Sequence, residues 1–196
     1  MLHPLFVPTY GMILYMAAMR VRTPNLPSIY IHIGIITTFV LTALIPIILM
    51  LILWKRGSIS SLHIDNASER TTPYIYTLIC FGFWCYFVGM IIKMPFVWLI
   101  VAIGATVALM AVTIINRWWK ISAHLTALGG LLGGAFSIAL YYSMIPTMLI
   151  IGILLVSLLL MYARLYLNAH TPMQVVCGYI LGLICTFIPN LIIYHA

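Results

Sequence analysis

The sequence predicts an all-α polytopic membrane helix bundle, with six long transmembrane helices and a short apolar segment before them. The chain has 196 residues, of which 65% are hydrophobic and only 6% are charged. A water-soluble domain of this size could not cover its surface with so few charges, so its solvent must be lipid. We expect one domain, residues 1–196, because no soluble domain is attached to the apolar runs.

The expected helices follow from the lengths of the apolar runs. A bilayer core needs about 20 apolar residues in helical conformation, with a range of about 17 to 25. Runs of this length lie at 28–54, 73–92, 94–116, 122–142, 146–166 and 172–194. A shorter apolar piece at 5–19 can cross the bilayer, dip into it or lie along its surface, and the sequence leaves these possibilities open.

The polar connections between the runs are expected to gather on one side of the membrane. Pro73, Pro146 and Pro172 stand near the starts of runs, where a first helical turn tolerates proline. If each run crosses once, the loop at 55–72 and the segments 117–124 and 164–171 all emerge on the same face. Three polar segments that are far apart in the sequence should therefore meet at one rim.

The charge balance favours either an anion site or contacts with anionic headgroups. Nine Lys and Arg residues stand against two acids, Asp65 and Glu69. Magnesium and paired-iron sites use several carboxylate oxygens, so a metal-dependent phosphotransferase is not expected. Once Arg70, Lys120 and Arg164 are set aside for chemistry, the basic residues of the two faces are equal in number. The positive-inside rule then gives no orientation.

The cysteines do not indicate a metal site or a disulfide framework. All four lie inside apolar runs, where a free thiol behaves as a small hydrophobic group, and their spacing fits no zinc motif. They are Cys80, Cys85, Cys177 and Cys185. We therefore expect no metal and no cofactor. The expected partners are a membrane lipid phosphate and the bilayer, with no nucleic acid, and the oligomeric state stays open.

Three polar stretches carry a resemblance to a known family. They are "ERTTP" at 69–73, "KISAH" at 120–124 and "ARLYLNAHTPMQ" at 163–174. In this order they resemble the three signatures of the type 2 phosphatidic acid phosphatase superfamily. The third signature is Ser-Arg, five residues, His, three residues and Asp. Arg164 and His170 have this spacing, while Ala163 replaces the serine and Gln174 replaces the aspartate.

The other two signatures are matched in part. Ser122 and His124 fit the family's Pro-Ser-Gly-His sequence. In the first signature Arg70 is followed by two threonines before the proline, and His63 occupies the position of the lysine. Lys120 is a candidate to replace that missing cation. Arg70 and Lys120 fit contacts with lipid headgroups equally well.

The resemblance implies a metal-independent membrane phosphatase that works through a phosphohistidine. His170 would attack phosphorus, and His124 would protonate the leaving alkoxide and later help water to attack. The phosphate oxygens would be held by Arg164, Arg70 and Ser122, with Lys120 nearby. Phosphoryl transfer depends mainly on positioning and on neutralising charge, and guanidinium groups match phosphate oxygens in a bidentate way.

The start of the last run adds two expectations. Thr171 can cap a helix that begins at Pro172, so that unpaired backbone N–H groups add to the anion site. Gln174 can orient the His170 ring or form a capping box with Thr171. We expect one amide oxygen not to serve both roles fully. A glutamine also lacks the charge of the family's aspartate, so catalysis is slower, or Asp65 or Glu69 supplies the charge.

Glycines at a spacing of four residues predict close helix packing. Small residues at positions i and i+4 let helices approach each other in lipid. The pairs are Gly129 with Gly133, Gly130 with Gly134, and Gly178 with Gly182. Contact between these two spans would bring His124 and His170 toward one pocket.

The sequence thus leads to an expected function and to its alternatives. We expect hydrolysis of a lipid phosphate monoester or pyrophosphate, such as polyprenyl pyrophosphate, phosphatidic acid, phosphatidylglycerol phosphate or a lipid A phosphate. The alternatives are a lipid phosphotransferase, an inactive lipid-binding or scaffolding relative, and a haem protein with His124 and His170 as axial ligands. The resemblance also implies a bacterial cytoplasmic membrane protein with its site on the periplasmic side.

Overall fold

The computed structural model describes residues 3–22, 27–60, 67–143 and 147–195. All regular structure within these ranges is helical. A 3-10 turn, Pro4–Phe6, leads into helix α1, Val7–Arg22. The long helices that follow are α2, Ser28–Lys55; α3, Thr71–Ile91; α4, Phe96–Ile115; α5, Ala123–Tyr141; α6, Thr147–Tyr166; and α7, Pro172–His195.

These six helices are long and apolar enough to cross a membrane. They confirm the all-α class, the number of spans and the approximate positions of the spans. Two of them contain a wide π turn, at Val40–Leu44 in α2 and at Phe87–Ile91 in α3. The turn in α2 comes just before Pro46, which has no N–H for the helical ladder and disturbs the preceding turn.

The N-terminal segment, whose position the sequence left open, lies inside the bundle beside α5. Leu5, Met12 and Tyr15 are buried. The Tyr15 hydroxyl donates a hydrogen bond of 2.6 Å to the carbonyl oxygen of Leu131 in α5. The segment therefore packs as a further helix of the bundle and does not lie along its surface, although its apolar part, Pro4–Ala17, is shorter than the six spans.

Helix α5 is the centre of the bundle and is the most buried of the long helices. It packs against α1, α4, α6 and, most extensively, α7. The contact with α7 is made by glycines. A Cβ atom on Gly129 would collide with the carbonyl oxygen of Tyr179, and one on Gly182 would collide with that of Thr126. The predicted close packing of these two spans is confirmed.

Gly134 differs from the sequence prediction. It faces away from α7, and a Cβ atom there would come within 2.7 Å of the Tyr15 hydroxyl and 3.1 Å of Val101. The reason is the helical repeat, because successive residues of an α-helix point in different directions. Gly133 faces α7, and the next residue, Gly134, faces another side of α5. Gly134 thus makes room for α1 and α4.

Hydroxyl groups set the register between α5 and α7. The Thr186 hydroxyl lies 3.0 Å from the carbonyl oxygen of Gly130, and the Ser137 hydroxyl lies 3.0 Å from that of Thr186. At the end of the contact the Ser122 N–H donates to the carbonyl oxygen of Gln174 over 3.2 Å. The register therefore places the start of α5 directly against the start of α7.

We predict that Gly182→Val destabilises the protein, because the added side chain must displace the backbone of α5. The expected loss is roughly 1–3 kcal/mol of unfolding free energy. Gly152→Val is the matched control, since a Cβ atom at Gly152 in α6 meets nothing within 4 Å. Thermal unfolding of both variants in detergent, followed by circular dichroism, measures the difference. Equal midpoints would contradict the glycine contact.

Candidate functional site

The polar connections converge at one end of the bundle, as the sequence predicts. The turn before α5 and the turn before α7 touch directly, because His170 Nδ1 lies 3.2 Å from the carbonyl oxygen of Lys120. The third segment contributes Arg70, at the end of the 3-10 turn Ala67–Arg70. Its charge acts electrostatically on His124, Arg164 and His170.

Arg164 and His124 are joined by a hydrogen bond between neighbouring helices. His124 stands in the first turn of α5 and Arg164 in the last turn of α6. Arg164 Nη2 lies 2.5 Å from His124 Nε2. A guanidinium group has donors but no acceptor, so Nε2 accepts this bond and carries no proton in this arrangement.

The surroundings of His170 select one tautomer of its ring. Nδ1 lies 3.2 Å from the Lys120 carbonyl oxygen and 3.1 Å from Gln174 Oε1. A backbone carbonyl oxygen can only accept, so Nδ1 carries the proton and Nε2 keeps its lone pair. Burial lowers the pKa of His170, and the hydrogen bonds with Gln174 and Lys120 only partly oppose this effect. The ring therefore stays neutral near pH 7, as a nucleophile requires.

Gln174 carries out both of its expected roles. Its Oε1 lies 3.1 Å from His170 Nδ1 and also accepts from the Thr171 N–H over 3.1 Å. The Gln174 N–H reaches the Thr171 hydroxyl at 3.5 Å, which completes a capping box. The expectation that one amide oxygen could not serve both roles fully is wrong, because that oxygen has two lone pairs.

The same cap corrects the prediction about the helix start. We expected free backbone N–H groups at the beginning of α7 to contribute to an anion site. The N–H groups of Thr171 and Gln174 are instead taken by side-chain oxygens of the cap. They are not available to an anion unless the capping box opens.

Two buried donors at the site have no hydrogen-bond partner among the described residues. They are Arg164 Nε and Ser122 Oγ. Ser122 is completely buried, at the start of α5. Buried polar groups are nearly always paired in native proteins, and an unpaired one costs about 1–3 kcal/mol. Both groups can donate a hydrogen bond to an anion, which supplies acceptors only.

An open cleft of about 580 Å³ lies beside His170. Its lining residues are Lys120, Leu165, Asn168, Ala169, His170, Thr171, Pro172 and Gln174. Arg164, Ser122 and His124 are not part of this lining. A ligand in the cleft therefore meets His170 first, and it reaches the other three side chains only after they rearrange.

The acidic residues of the 55–72 loop do not supply the charge that Gln174 lacks, as far as the structure describes them. Glu69 accepts hydrogen bonds of 2.7 Å and 2.8 Å from the N–H and hydroxyl of Ser60, and these bonds lower the pKa of Glu69. No described contact joins Glu69 to His170. Asp65 and His63, the other candidates in this loop, lie outside the described residues.

Sequence reasoning missed His3. Its ring centroid lies 6.0 Å from that of His124, and the two ring planes meet at 70°. The single local signal was a histidine before Pro4, an order that fits a helix start and says nothing of function. Only the packing of the N-terminal segment against α5 brings this residue to the site.

The geometry weighs against the haem alternative. Arg164 is bonded to His124 Nε2, the nitrogen that an axial ligand offers to iron, and it places a cation there. Within the described ranges, no three His, Cys, Asp or Glu side chains come together in a way that would hold a metal ion.

Comparison with protein families, curated proteins and solved structures gives no significant match. The class of the protein is therefore defined by its own architecture. It is an integral membrane protein of six apolar helices with an additional N-terminal helix. Its candidate site is a partly buried cluster of imidazoles and basic side chains at one end of the bundle.

We predict that Gln174→Glu raises the pKa of His170, because a carboxylate at 3.1 Å from Nδ1 favours the charged ring. The capping box is preserved, since glutamate also suits it. Nitrogen-15 NMR of labelled histidine, with the His170 signal identified from its absence in His170→Gln, measures the titration. Met173→Glu is the control, as its side chain is exposed. An unchanged His170 titration in Gln174→Glu would contradict the contact.

Proposed function

We propose that the protein is a membrane-embedded phosphatase that hydrolyses a lipid phosphate monoester or pyrophosphate without a metal ion. The observation that carries this proposal is the pair of buried donors without partners, Arg164 Nε and Ser122 Oγ. Arg164 stands beside His124 and near Arg70, and Ser122 lies two residues before His124 in the same turn. A phosphoryl group offers several strong acceptor oxygens and negative charge, so it can satisfy this set of donors once the side chains turn toward the cleft.

The first chemical step uses the tautomer of His170. Its Nε2 lone pair attacks phosphorus, a P–N bond forms, and the bond from phosphorus to the lipid oxygen breaks. Positive charge develops on the ring as this happens. The Lys120 carbonyl oxygen and Gln174 Oε1 hold the Nδ1 proton and so stabilise that charge by hydrogen bonding.

His124 serves as the acid in this reaction, and substrate binding prepares it. A phosphate oxygen is a better partner for Arg164 than a neutral imidazole, because both partners are then charged. Arg164 turns to the phosphate and leaves His124 Nε2 free to take a proton, which the nearby dianion favours. The leaving lipid oxygen receives this proton. Water then attacks the phosphohistidine, gives its proton to His124 and releases inorganic phosphate as the P–N bond breaks.

A lipid is the substrate class that the surroundings favour. Leu167 and Met173 are next in sequence to residues that line the cleft and are 66% and 65% exposed, and Trp118 in the turn before α5 is 78% exposed. Such side chains are typical of the membrane interface, where tryptophan is enriched. An acyl or isoprenyl chain can stay in the bilayer while its phosphate enters the cleft, which avoids the cost of moving the chain through water.

We predict release of inorganic phosphate from a lipid phosphate in the presence of EDTA, and loss of that release on the order of 10³-fold in His170→Ala. The assay panel contains polyprenyl pyrophosphate, phosphatidic acid, phosphatidylglycerol phosphate and a lipid A phosphate. Arg164→Lys keeps the charge but loses the bidentate fork, so we expect a fall of roughly 10- to 100-fold.

The control for this assay is His32→Ala. His32 lies one turn into α2, and its Nδ1 is 2.6 Å from the carbonyl oxygen of Ser28, so its loss should leave the rate unchanged. Two outcomes would contradict the proposal. Equal activity in wild type and His170→Ala would exclude the phosphohistidine, and no release from any lipid phosphate would favour a binding protein.

We propose that the site faces the outer side of a bacterial cytoplasmic membrane. The test is Ser58→Cys in a variant whose four cysteines are replaced by serine, because Ser58 is exposed in the loop beside the site. An impermeant maleimide should label this cysteine in intact cells. Labelling only after lysis would place the site on the cytoplasmic side.

A further inference from the structure

The N-terminal segment holds His3 firmly beside the site. Leu5 is buried, and its carbonyl oxygen lies 3.4 Å from the Thr42 hydroxyl in α2. The Phe6 ring stacks on Phe39 of the same helix with centroids 6.3 Å apart. These contacts fix the turn Pro4–Phe6 between α2 and α5, so the chain enters the bundle with His3 at the end where the cluster lies.

The ring of His3 is itself oriented. Its Nδ1 lies 3.5 Å from the N–H of Leu5 and can only be the acceptor there. Its ring also meets Phe6 edge to face, with centroids 6.5 Å apart and planes at 83°. The His3 ring therefore has a defined orientation at the edge of the site, where it contacts the His124 ring.

His124 is surrounded by groups that are positive or can become positive. Among the described residues they come from four segments: Arg164 on α6, Arg70 before α3, His170 before α7 and His3 at the N-terminus. Like charges disfavour the protonated form of an imidazole. Arg164 and Arg70 are permanently charged. His3 and His170 are thus the neighbours whose charge changes with pH, and His170 must be neutral to attack.

We propose that His3 is a third histidine of the phosphoryl site, a positioning residue that fixes the His124 ring and places a group that can become charged beside it. This inference rests on the proposed function. His3 does not touch phosphorus in this scheme. It acts through His124, by ring contact and by electrostatic repulsion, and it makes the N-terminal helix part of the catalytic unit.

The test compares His3→Phe and His3→Ala with wild type. Phenylalanine keeps a ring against His124 but cannot become charged, so the alkaline limb of the kcat profile, which reports the enzyme with substrate bound, should move to higher pH while KM stays the same. Alanine also removes the ring contact. We therefore expect the same shift together with a fall in kcat of about 10-fold. His32→Phe is the matched control and should change neither quantity.

An unmoved pH profile in His3→Phe overturns the inference, even if His3→Ala is slow, because His3 would then only fill space. Wild-type kcat in His3→Ala overturns the positioning role as well. Each variant is first compared with wild type by size-exclusion chromatography in detergent. A variant that does not elute as wild type is replaced by His3→Gln, for which the same shift of the alkaline limb is expected.

A second readout separates this inference from the proposed function. In nitrogen-15 NMR, with the His124 signal identified from His124→Gln, removal of His3 should move the His124 titration to higher pH. If wild type releases no phosphate but this titration moves, the enzyme proposal fails and the His3–His124 coupling stands. If phosphate is released and the titration does not move, the coupling fails alone.

Discussion

The close contact between α5 and α7 is the constraint on which the candidate site depends. Lipid gives helices no hydrophobic reason to associate, so packing and hydrogen bonds must hold them together. Gly129 and Gly182 let the two backbones touch. The contact continues to Ser122, whose N–H is bonded to the carbonyl oxygen of Gln174. The cap of α7, and with it the His170 ring, is thereby placed against the turn before α5.

At the same end of the bundle, Arg164 lies close to His124 and to a second arginine, Arg70. Charges are costly near the apolar part of a membrane, and no described carboxylate contacts Arg164. Arg164 donates to a neutral His124, while its Nε has no hydrogen-bond partner among the described residues. His170 is also neutral, because burial lowers its pKa. The two imidazoles thus add no charge to that of the neighbouring arginines, and the cluster has donors that suit an anion, as the proposed phosphatase needs.

The sequence predicts the features that depend on length and spacing, and it misses those that depend on register. The spans follow from apolar runs, and Arg164 and His170 follow from their separation along the chain. The Lys120 carbonyl contact with His170 could not be predicted, because backbone groups carry no sequence signal. His3 could not be predicted either, since nothing local distinguishes a helix that enters the bundle from one that lies on its surface. Gly134 shows the same limit, because it faces Tyr15 of α1 although the residue before it, Gly133, faces α7.

The two oxygens that accept a hydrogen bond from His170 Nδ1 affect the two steps of the proposed reaction in opposite ways. Carbonyl oxygens select the tautomer as well as a carboxylate does, but they add no full negative charge, so the ring is less basic. A less basic imidazole is a weaker nucleophile toward phosphorus. It is also a better leaving group when water attacks the phosphohistidine. In the proposed reaction, a glutamine at this position instead of a carboxylate therefore slows attack by His170 and favours its departure, and we expect formation of the P–N bond to limit turnover.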